Sequence, residues 1–248
     1  MHRFHYPQSL ALFTPSSLLE LDADQSRHAR RSLRLSPGDT AEIFDGQGRW
    51  ASATLLEYHR DNAHWQIQQI HFATPLTPHL TLAVAPPKGA RIDEMVNQLS
   101  QLGVDHLLLL TTERSIASPS EHRLDRLRRI VIESAKQCHR PYLMQMTGPI
   151  PFAQALLQPA DLRLLAWPGA QPLSSSELVS TLTHSHPSNV ILYIGPEGDW
   201  SAAEVAAAQA ASCRPWLIGP YVLRVETAAA TAASIIRYFT PVSSVSLT

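Results

Sequence analysis

Lysine is nearly missing from this chain of 248 residues: Lys88 and Lys136 are the only two, and arginine carries almost all of the positive charge. The formal net charge is −1. A protein that grips nucleic acid over a broad surface usually shows a basic excess, so contacts of that kind must here come from a local patch. Arginine suits bidentate phosphate contacts, although a compositional bias explains the same preference. Two cysteines, Cys138 and Cys213, are too few for a disulfide framework and fit a reducing setting. The N-terminus has no charged-then-apolar leader pattern, and no run is long and apolar enough to span a bilayer. The expectation is a cytoplasmic protein without a membrane partner. There is no sequence repeat and no low-complexity segment, and the small polar tail after Phe239 is expected to fray.

The length allows one large core or two modest ones. Residues 1–74 read as a small β domain. Ala41–Phe44 leads into Asp45-Gly46 and Gly48, a hairpin signal, and Trp50–Leu55 returns. Trp65–Ile70 is a further strand, and the alternation predicts a small barrel or open sheet. One helix interrupts the strands, with Asp22 as cap and Gln25 at the capping-box position. It carries Arg27, His28, Arg30, Arg31 and Arg34 and ends at Ser36-Pro37-Gly38. That run is either a solvated helix face or a basic stripe for RNA phosphates.

Thr74-Pro75-Leu76-Thr77-Pro78 reads as a linker, after which residues 75–248 change period. Leu80–Ala85 is a short apolar strand. The next helix places Ile92, Met95, Val96, Leu99 and Leu102 on one face and stops at Gly103. Val104–Leu110 is strongly apolar. Ser118-Pro119-Ser120-Glu121 predicts a capped helix start, running to about Gln137. Strands follow at Leu162–Trp167, Val190–Ile194 and Pro215–Ile218, with helices between them and at Thr227–Phe239. Alternating strands and helices imply a mostly parallel sheet covered on both faces.

Two stretches share one physical form. Ile194-Gly195-Pro196-Glu197-Gly198-Asp199-Trp200-Ser201 and Ile218-Gly219-Pro220-Tyr221-Val222-Leu223-Arg224 each end an apolar run in Gly-Pro, then loop into a helix. In open α/β sheets such loops gather where ligands bind. Ser201 and Glu204 form a capping box. No Lys-Ser or Lys-Thr follows the glycines, which excludes a P-loop and suits a ligand read by backbone groups. Either stretch alone is also compatible with an ordinary strand-to-helix turn. His184-Ser185-His186 has no cysteine or carboxylate cluster beside it, so a polar loop and no metal is the expectation.

Together the two stretches resemble the last two signature motifs of the SPOUT methyltransferases, the knotted class that binds S-adenosylmethionine. Gly195-Pro196-Glu197-Gly198 followed by Leu223-Arg224-x-Glu226-Thr227-Ala228 is similar to the RsmE family. That family methylates N3 of a uridine in 16S ribosomal RNA. His28, Leu33-Arg34, Pro37-Gly38 and Phe44-Asp45-Gly46 resemble its first domain. The resemblance implies an α/β fold: a PUA-like RNA-binding β-barrel over 1–74, then a SPOUT α/β domain over 75–248 with a mostly parallel sheet and a C-terminal trefoil knot. It implies a homodimer acting on 16S ribosomal RNA or the small ribosomal subunit.

By the same resemblance the cofactor pocket is built from Leu165, Trp167 and Pro168, from Ile194, Gly195, Pro196, Glu197 and Gly198, and from Ile218, Gly219, Val222, Leu223 and Arg224, with Ala228 behind. Arg224 and Glu226 are the candidate catalytic pair. Arg224 would stabilise charge on the uracil oxygens or bind a phosphate, and Glu226 would accept a proton or fix Arg224. The pair would otherwise simply anchor the loop. Glu197 either touches a ligand or caps amides of its own loop. Arg31, Arg34, Lys88, Arg114, Gln137 and Arg140 are the RNA-binding candidates, each with solvated surface as the alternative. Asp199, Gln98, Gln101 and Lys136 stand where the family usually has Gly, Lys, Glu and Glu. Asp199, Gln98 and Lys136 motivate a competing reading, an RNA-binding protein with a decayed site. A ribose 2′-hydroxyl target is a third.

Overall fold

The computed structural model describes residues 1–115, 119–169 and 171–240. Ser118, read above as a helix cap, and the tail beyond residue 240 lie outside the described residues. The chain forms two compact units. Among the described residues, one is Met1–Pro75 with Ala135–Leu143; the other is Leu76–Ser134 with the chain from Met144 to Thr240. The first unit thus includes a segment well beyond the linker, which a cut at residue 74 does not anticipate.

The first unit holds β1 (His2–His5), β2 (Leu18–Leu21), α1 (Ala23–Arg27), β3 (Thr40–Phe44), β4 (Arg49–His59) and β5 (Asn62–Phe72). They make one sheet in the order β1-β3-β4-β5-β2. β1 runs parallel to β3, and the other neighbours are antiparallel. β1 and β2 stand at the two ends of this order. Alternation along β4 and β5 sends Ala51, Ala53, Leu55, Ala63, Trp65 and Ile67 inward, all fully buried. The Trp65 ring packs 5.5 Å from Phe4. Arg3 is buried beneath this sheet's end, 3.5 Å from Glu42, and donates to the carbonyls of Ala135 and Arg140. That contact explains why 135–143 joins the first unit.

Asp22 caps α1 as expected, accepting from Gln25 N–H at 2.8 Å. Gln25 does not complete the box. Its amide grips the backbone of His5 instead, accepting from the N–H and donating to the carbonyl. The helix is shorter than its arginine run suggests: it passes into a wide turn over His28–Ser32, and Arg34 adopts φ 56°.

The second unit holds β6 (His79–Val84), α2 (Arg91–Gln101), β7 (His106–Thr111), α3 (Glu121–Gln137, ending in the first unit), β8 (Gln145–Pro151), α4 (Phe152–Ala155), β9 (Leu162–Ala166), α5 (Ser175–Ser180), β10 (Asn189–Ile194), α6 (Ala202–Ala210), β11 (Arg214–Trp216) and α7 (Val225–Tyr238). The six strands form one parallel sheet, ordered β11-β9-β10-β6-β7-β8. Leu107–Leu110 and Val190–Ile194 are buried throughout, as both faces are covered. α3 is capped by Ser120, whose hydroxyl accepts from Arg123 N–H.

β10 inserts between β9 and β6, while β11 adds at the far edge beyond β9. The chain then returns as α7, which packs on α2 and β6. The return is close because Ala228, Ala229, Ala232 and Ala233 face inward with almost no side chain to separate the elements. Arg237 closes the far end of α7, reaching the Gly103 and Pro78 carbonyls and Asp105 at 2.6 Å.

A candidate cofactor cleft at the strand ends

Because the strands run parallel, their carboxyl ends share one edge of the sheet. There the loops after β9, β10 and β11 enclose a cleft of about 910 Å³, with the first turns of α2 and α7. That size lies in the range of small-molecule sites, about 300–1,000 Å³. The two Gly-Pro bends, far apart in sequence, line the same cleft.

Of the residues expected around a cofactor, Trp167, Pro168, Ile194, Gly195, Pro196, Glu197, Ile218, Gly219, Val222, Leu223, Arg224 and Ala228 line it. Leu165 does not; it is 1% exposed in the core, and Ala166 lines the cleft in its place. Alternation along β9 turns one residue into the sheet and the next out, which fixes that exchange. Gly198 is not on the wall either. Its carbonyl accepts from Arg114 at 3.0 Å.

The β10 loop is held from three sides. Asp199 N–H closes a turn on the Pro196 carbonyl at 3.0 Å. Buried Trp200 donates its indole N–H to the Ala166 carbonyl at 3.3 Å, which ties this loop to β9. A side chain at position 195 would have its Cβ 2.9 Å from the Trp200 ring, so glycine is required there for packing. Ser201 and Glu204 form the expected capping box. The second carboxylate oxygen of Glu204 also accepts from Glu113 N–H at 2.8 Å, joining the β7 loop to the same support.

The β11 loop is different. Among the described residues, 218–223 make no hydrogen bond to the rest of the chain. Backbone groups of such a loop must find partners in water or in a ligand. The loop thus offers backbone donors and acceptors to the cleft.

The charged groups rearrange the expected pairing. Glu226 does not pair with Arg224 among the described residues. Its partner is Arg91, the first residue of α2, at 3.8 Å. Arg91 also meets Glu197 at 2.8 Å, so Glu197 does not cap its own loop. The second oxygen of Glu226 is buried and has no partner. Arg224 is the N-cap of α7, exposed, and lines the cleft without a side-chain capping bond. Sequence reasoning missed Arg91 altogether. Its partners lie 106 and 135 positions away, and only the fold joins them.

Lys88, Arg114, Gln137 and Arg140 do not line this cleft. Lys88 and Gln137 are exposed, and Arg114 braces the β10 loop. Arg31 and Arg34 are exposed on the first unit and form no ion pair among the described residues. By contrast Arg27 pairs with Asp24, and Arg30 lies over the Tyr58 ring. Among the described residues no cluster fits a metal ion, and no helix is long and apolar enough to cross a membrane.

A parallel sheet with a cleft formed by Gly-Pro loops at the carboxyl ends of its strands is the arrangement in which open α/β domains bind their ligands. Residues 74–237 match the family profile of the RNA methyltransferase domain, and residues 21–67 match the RNA methyltransferase PUA domain. A ribosomal RNA small subunit methyltransferase E from Synechocystis is 33% identical over 226 residues, 88% of this chain and 73% of that protein. Two solved structures are each 26% identical with a TM-score of 0.83: a methyltransferase from Legionella pneumophila with bound SAM, covering 95% of this chain and 96% of that one, and the small subunit methyltransferase E of Neisseria gonorrhoeae bound to S-adenosylmethionine, covering 97% and 98%. The chain belongs to the RsmE family of RNA methyltransferases.

Proposed function

We propose that this protein transfers a methyl group from S-adenosylmethionine to N3 of a uridine in 16S ribosomal RNA, as a cytoplasmic homodimer acting on that RNA or on the small ribosomal subunit. The single observation that carries the reading is the convergence of both Gly-Pro bends on one cleft at the sheet's carboxyl edge. The relatives' names point to small-subunit ribosomal RNA, and the uridine N3 target follows from the resemblance to the RsmE family.

The cleft suits the donor. Apolar walls from Trp167, Pro168, Ile218 and Leu223 suit a flat aromatic base, while the unbonded backbone of 218–223 offers donors and acceptors to its edge. Gly195 gives close access to the backbone. When bound, the donor supplies an electrophilic methyl on a sulfonium. The protein must hold the nucleophile in line with it, and positioning of this kind accounts for much of the rate.

Uridine N3 carries a proton that must leave. Arg224, exposed beside the cleft, is the cation that would stabilise negative charge on the uracil oxygens. Glu226, with one buried oxygen lacking a partner, is the candidate proton acceptor. Arg31 and Arg34, together with Lys88, Gln137 and Arg140, are the proposed RNA contacts. We read the first unit as a PUA-like barrel. We read the return of the chain from edge strand β11 to α7 against α2 and β6 as one crossing of a trefoil knot.

Of the three departures behind the decayed-site reading, Asp199 fits its loop: it has φ 62°, the left-handed conformation that favours glycine, and its N–H closes a turn on the Pro196 carbonyl. Small subunits lacking the modification, incubated with the protein and labelled donor, test the proposal. Digestion then locates the methyl. Label on N3 of one uridine supports it, label on a ribose moves the target to the 2′-hydroxyl, and no transfer to any RNA removes the enzyme reading.

A further inference from the structure

The sheet of the first unit carries a stacked aromatic pair outside its core. Trp50 on β4 lies directly opposite His71 on β5. Their rings are nearly parallel, with centroids 5.2 Å apart and planes 15° apart. Alternation fixes the face: Ala51, Ala53, Trp65 and Ile67 fill the core, so Trp50 and His71 stand on the outer side, half-buried. Neither the indole N–H of Trp50 nor a ring nitrogen of His71 makes a hydrogen bond among the described residues.

Trp50 covers one side of the imidazole, and the other side meets no strand. β2, the next strand of the sheet, pairs with β5 only over Ala63–Gln66. Ser16 and Ser17 extend that contact to Ile67. From Gln68 to Phe72 this edge of β5 bonds no neighbouring segment among the described residues.

A β-bulge lies just before the pair. Ala53 faces Ile67 but Ser52 faces Gln69, so Gln68 is the extra residue. Bulges re-aim side chains and gather beside functional sites. Here the bulge brings two consecutive amides to the outer face. Gln68 donates to Thr54 Oγ1 at 3.2 Å, while the Gln69 side chain is exposed and makes no hydrogen bond among the described residues. Ser52, Thr54 and Gln66 continue this face with hydroxyls and an amide, so it sets no carboxylate against a phosphate. A ring with one open side, beside an amide that both donates and accepts, suits an unpaired nucleobase.

We propose that Trp50 and His71 form a seat for one unpaired base of the RNA substrate. The base continues the stack on the open side of the imidazole, Trp50 supports the ring from behind, and Gln69 bonds the base edge. Stacking accepts any base, because every base has a π-face, and the Gln69 contact orients it. The inference rests on the reading of RNA as the substrate. It adds a contact made to a base, where Arg31 and Arg34 would meet phosphates.

Fluorescence anisotropy on the full chain tests it with two labelled strands of equal length and charge, octauridylate and an abasic ribose-phosphate octamer. The wild type should prefer the base-bearing strand by about 5- to 150-fold, the scale of stacking one base on an aromatic ring. His71→Ala should abolish most of that preference and leave affinity for the abasic strand unchanged, which also reports that the variant is folded. His71→Phe should restore the preference, since it keeps the ring. Gln69→Leu should weaken the base-bearing strand alone, by about 2- to 10-fold, for one lost hydrogen bond. An undiminished preference in His71→Ala, equal weakening of both strands, or a Phe variant that behaves like Ala overturns the assignment. A wild type that binds small subunits lacking the modification but shows no preference for the base-bearing strand overturns it as well. A wild type that binds neither strand and no small subunit removes the reading of RNA as the substrate, a result distinct from the others.

Discussion

The indole N–H of Trp200 lies 3.3 Å from the carbonyl oxygen of Ala166, which joins the loop after β10 to the end of β9. The same ring fills the space that a side chain at Gly195 would need and packs 4.6 Å from Phe152. One side chain thus sets the spacing of two cleft walls and anchors them to the core. Trp200→Ala should cost about 3–5 kcal/mol of stability, the usual range for a buried aromatic. Trp200→Phe keeps most of the packing and loses only the bond. Urea denaturation should therefore show a small loss for Phe and a large one for Ala. Cofactor affinity should fall in both, since the walls are no longer tied.

Asp199 supplies a backbone test of the same loop. At φ 62° aspartate is tolerated because its short carboxylate bonds locally, here accepting from Trp200 N–H at 2.8 Å. Asp199→Gly should leave fold and cofactor affinity nearly unchanged, as glycine adopts this conformation freely. Asp199→Val should destabilise by about 1–3 kcal/mol, since a β-branched side chain is strained there. Equal melting temperatures for Gly and Val variants would show that the loop relaxes to another conformation.

Much of the second unit was legible because its strands are short, apolar and bounded by turns. β6, β7 and β10 lie within a residue or two of where the apolar runs place them, and Ser201 with Glu204 caps α6 as its spacing demands. β8 was not legible. It carries Gly148 and Pro149, both signals against a strand. It exists because it pairs only with β7, at the edge of the sheet, and because an added Cβ at Gly148 would strike the Leu109 carbonyl. β1 and β2 escaped notice for a related reason. Each is four residues long, and each takes its place from a distant partner, β3 and β5. At the site, the loop motifs announced which backbone lines the cleft. Charge pairing across loops was invisible, since Arg91, Glu197 and Glu226 have no local pattern linking them.

Arg114 separates structural from RNA-binding roles. Its guanidinium donates to the carbonyls of Gly198 and Trp200, at 3.0 and 3.4 Å. Arg114→Ala should loosen the β10 loop and weaken cofactor binding about tenfold or more, on the scale of about 1.5–3 kcal/mol for bonds to a charged donor. Affinity for RNA should keep its salt dependence. Arg31→Ala and Arg34→Ala should do the reverse, leaving the cofactor unaffected and making the dependence of RNA binding on salt shallower. A reduced salt slope in Arg114→Ala would instead give that arginine a phosphate contact.

The Cys213 thiol, buried beside Tyr193 and Arg163, is pushed up to about 11 by desolvation, with Arg163 opposing the shift. The thiolate is therefore the form that the folded state disfavours, while the unfolded chain ionises near the ordinary value of 9.0. Below that value both states are protonated, and the group's contribution to stability is fully present. Between about 9 and about 11 the unfolded state loses its proton first, and stability should fall as pH rises. Cys213→Ser removes this thiol, so the decline should become shallower in that window in denaturant titrations, relative to the wild type. A thiol reagent at pH 8 should label Cys213 only as fast as the protein opens, because the reactive thiolate is scarce in the native fold. Rapid stoichiometric labelling of Cys213 in the native protein would place it on an accessible path and contradict its burial.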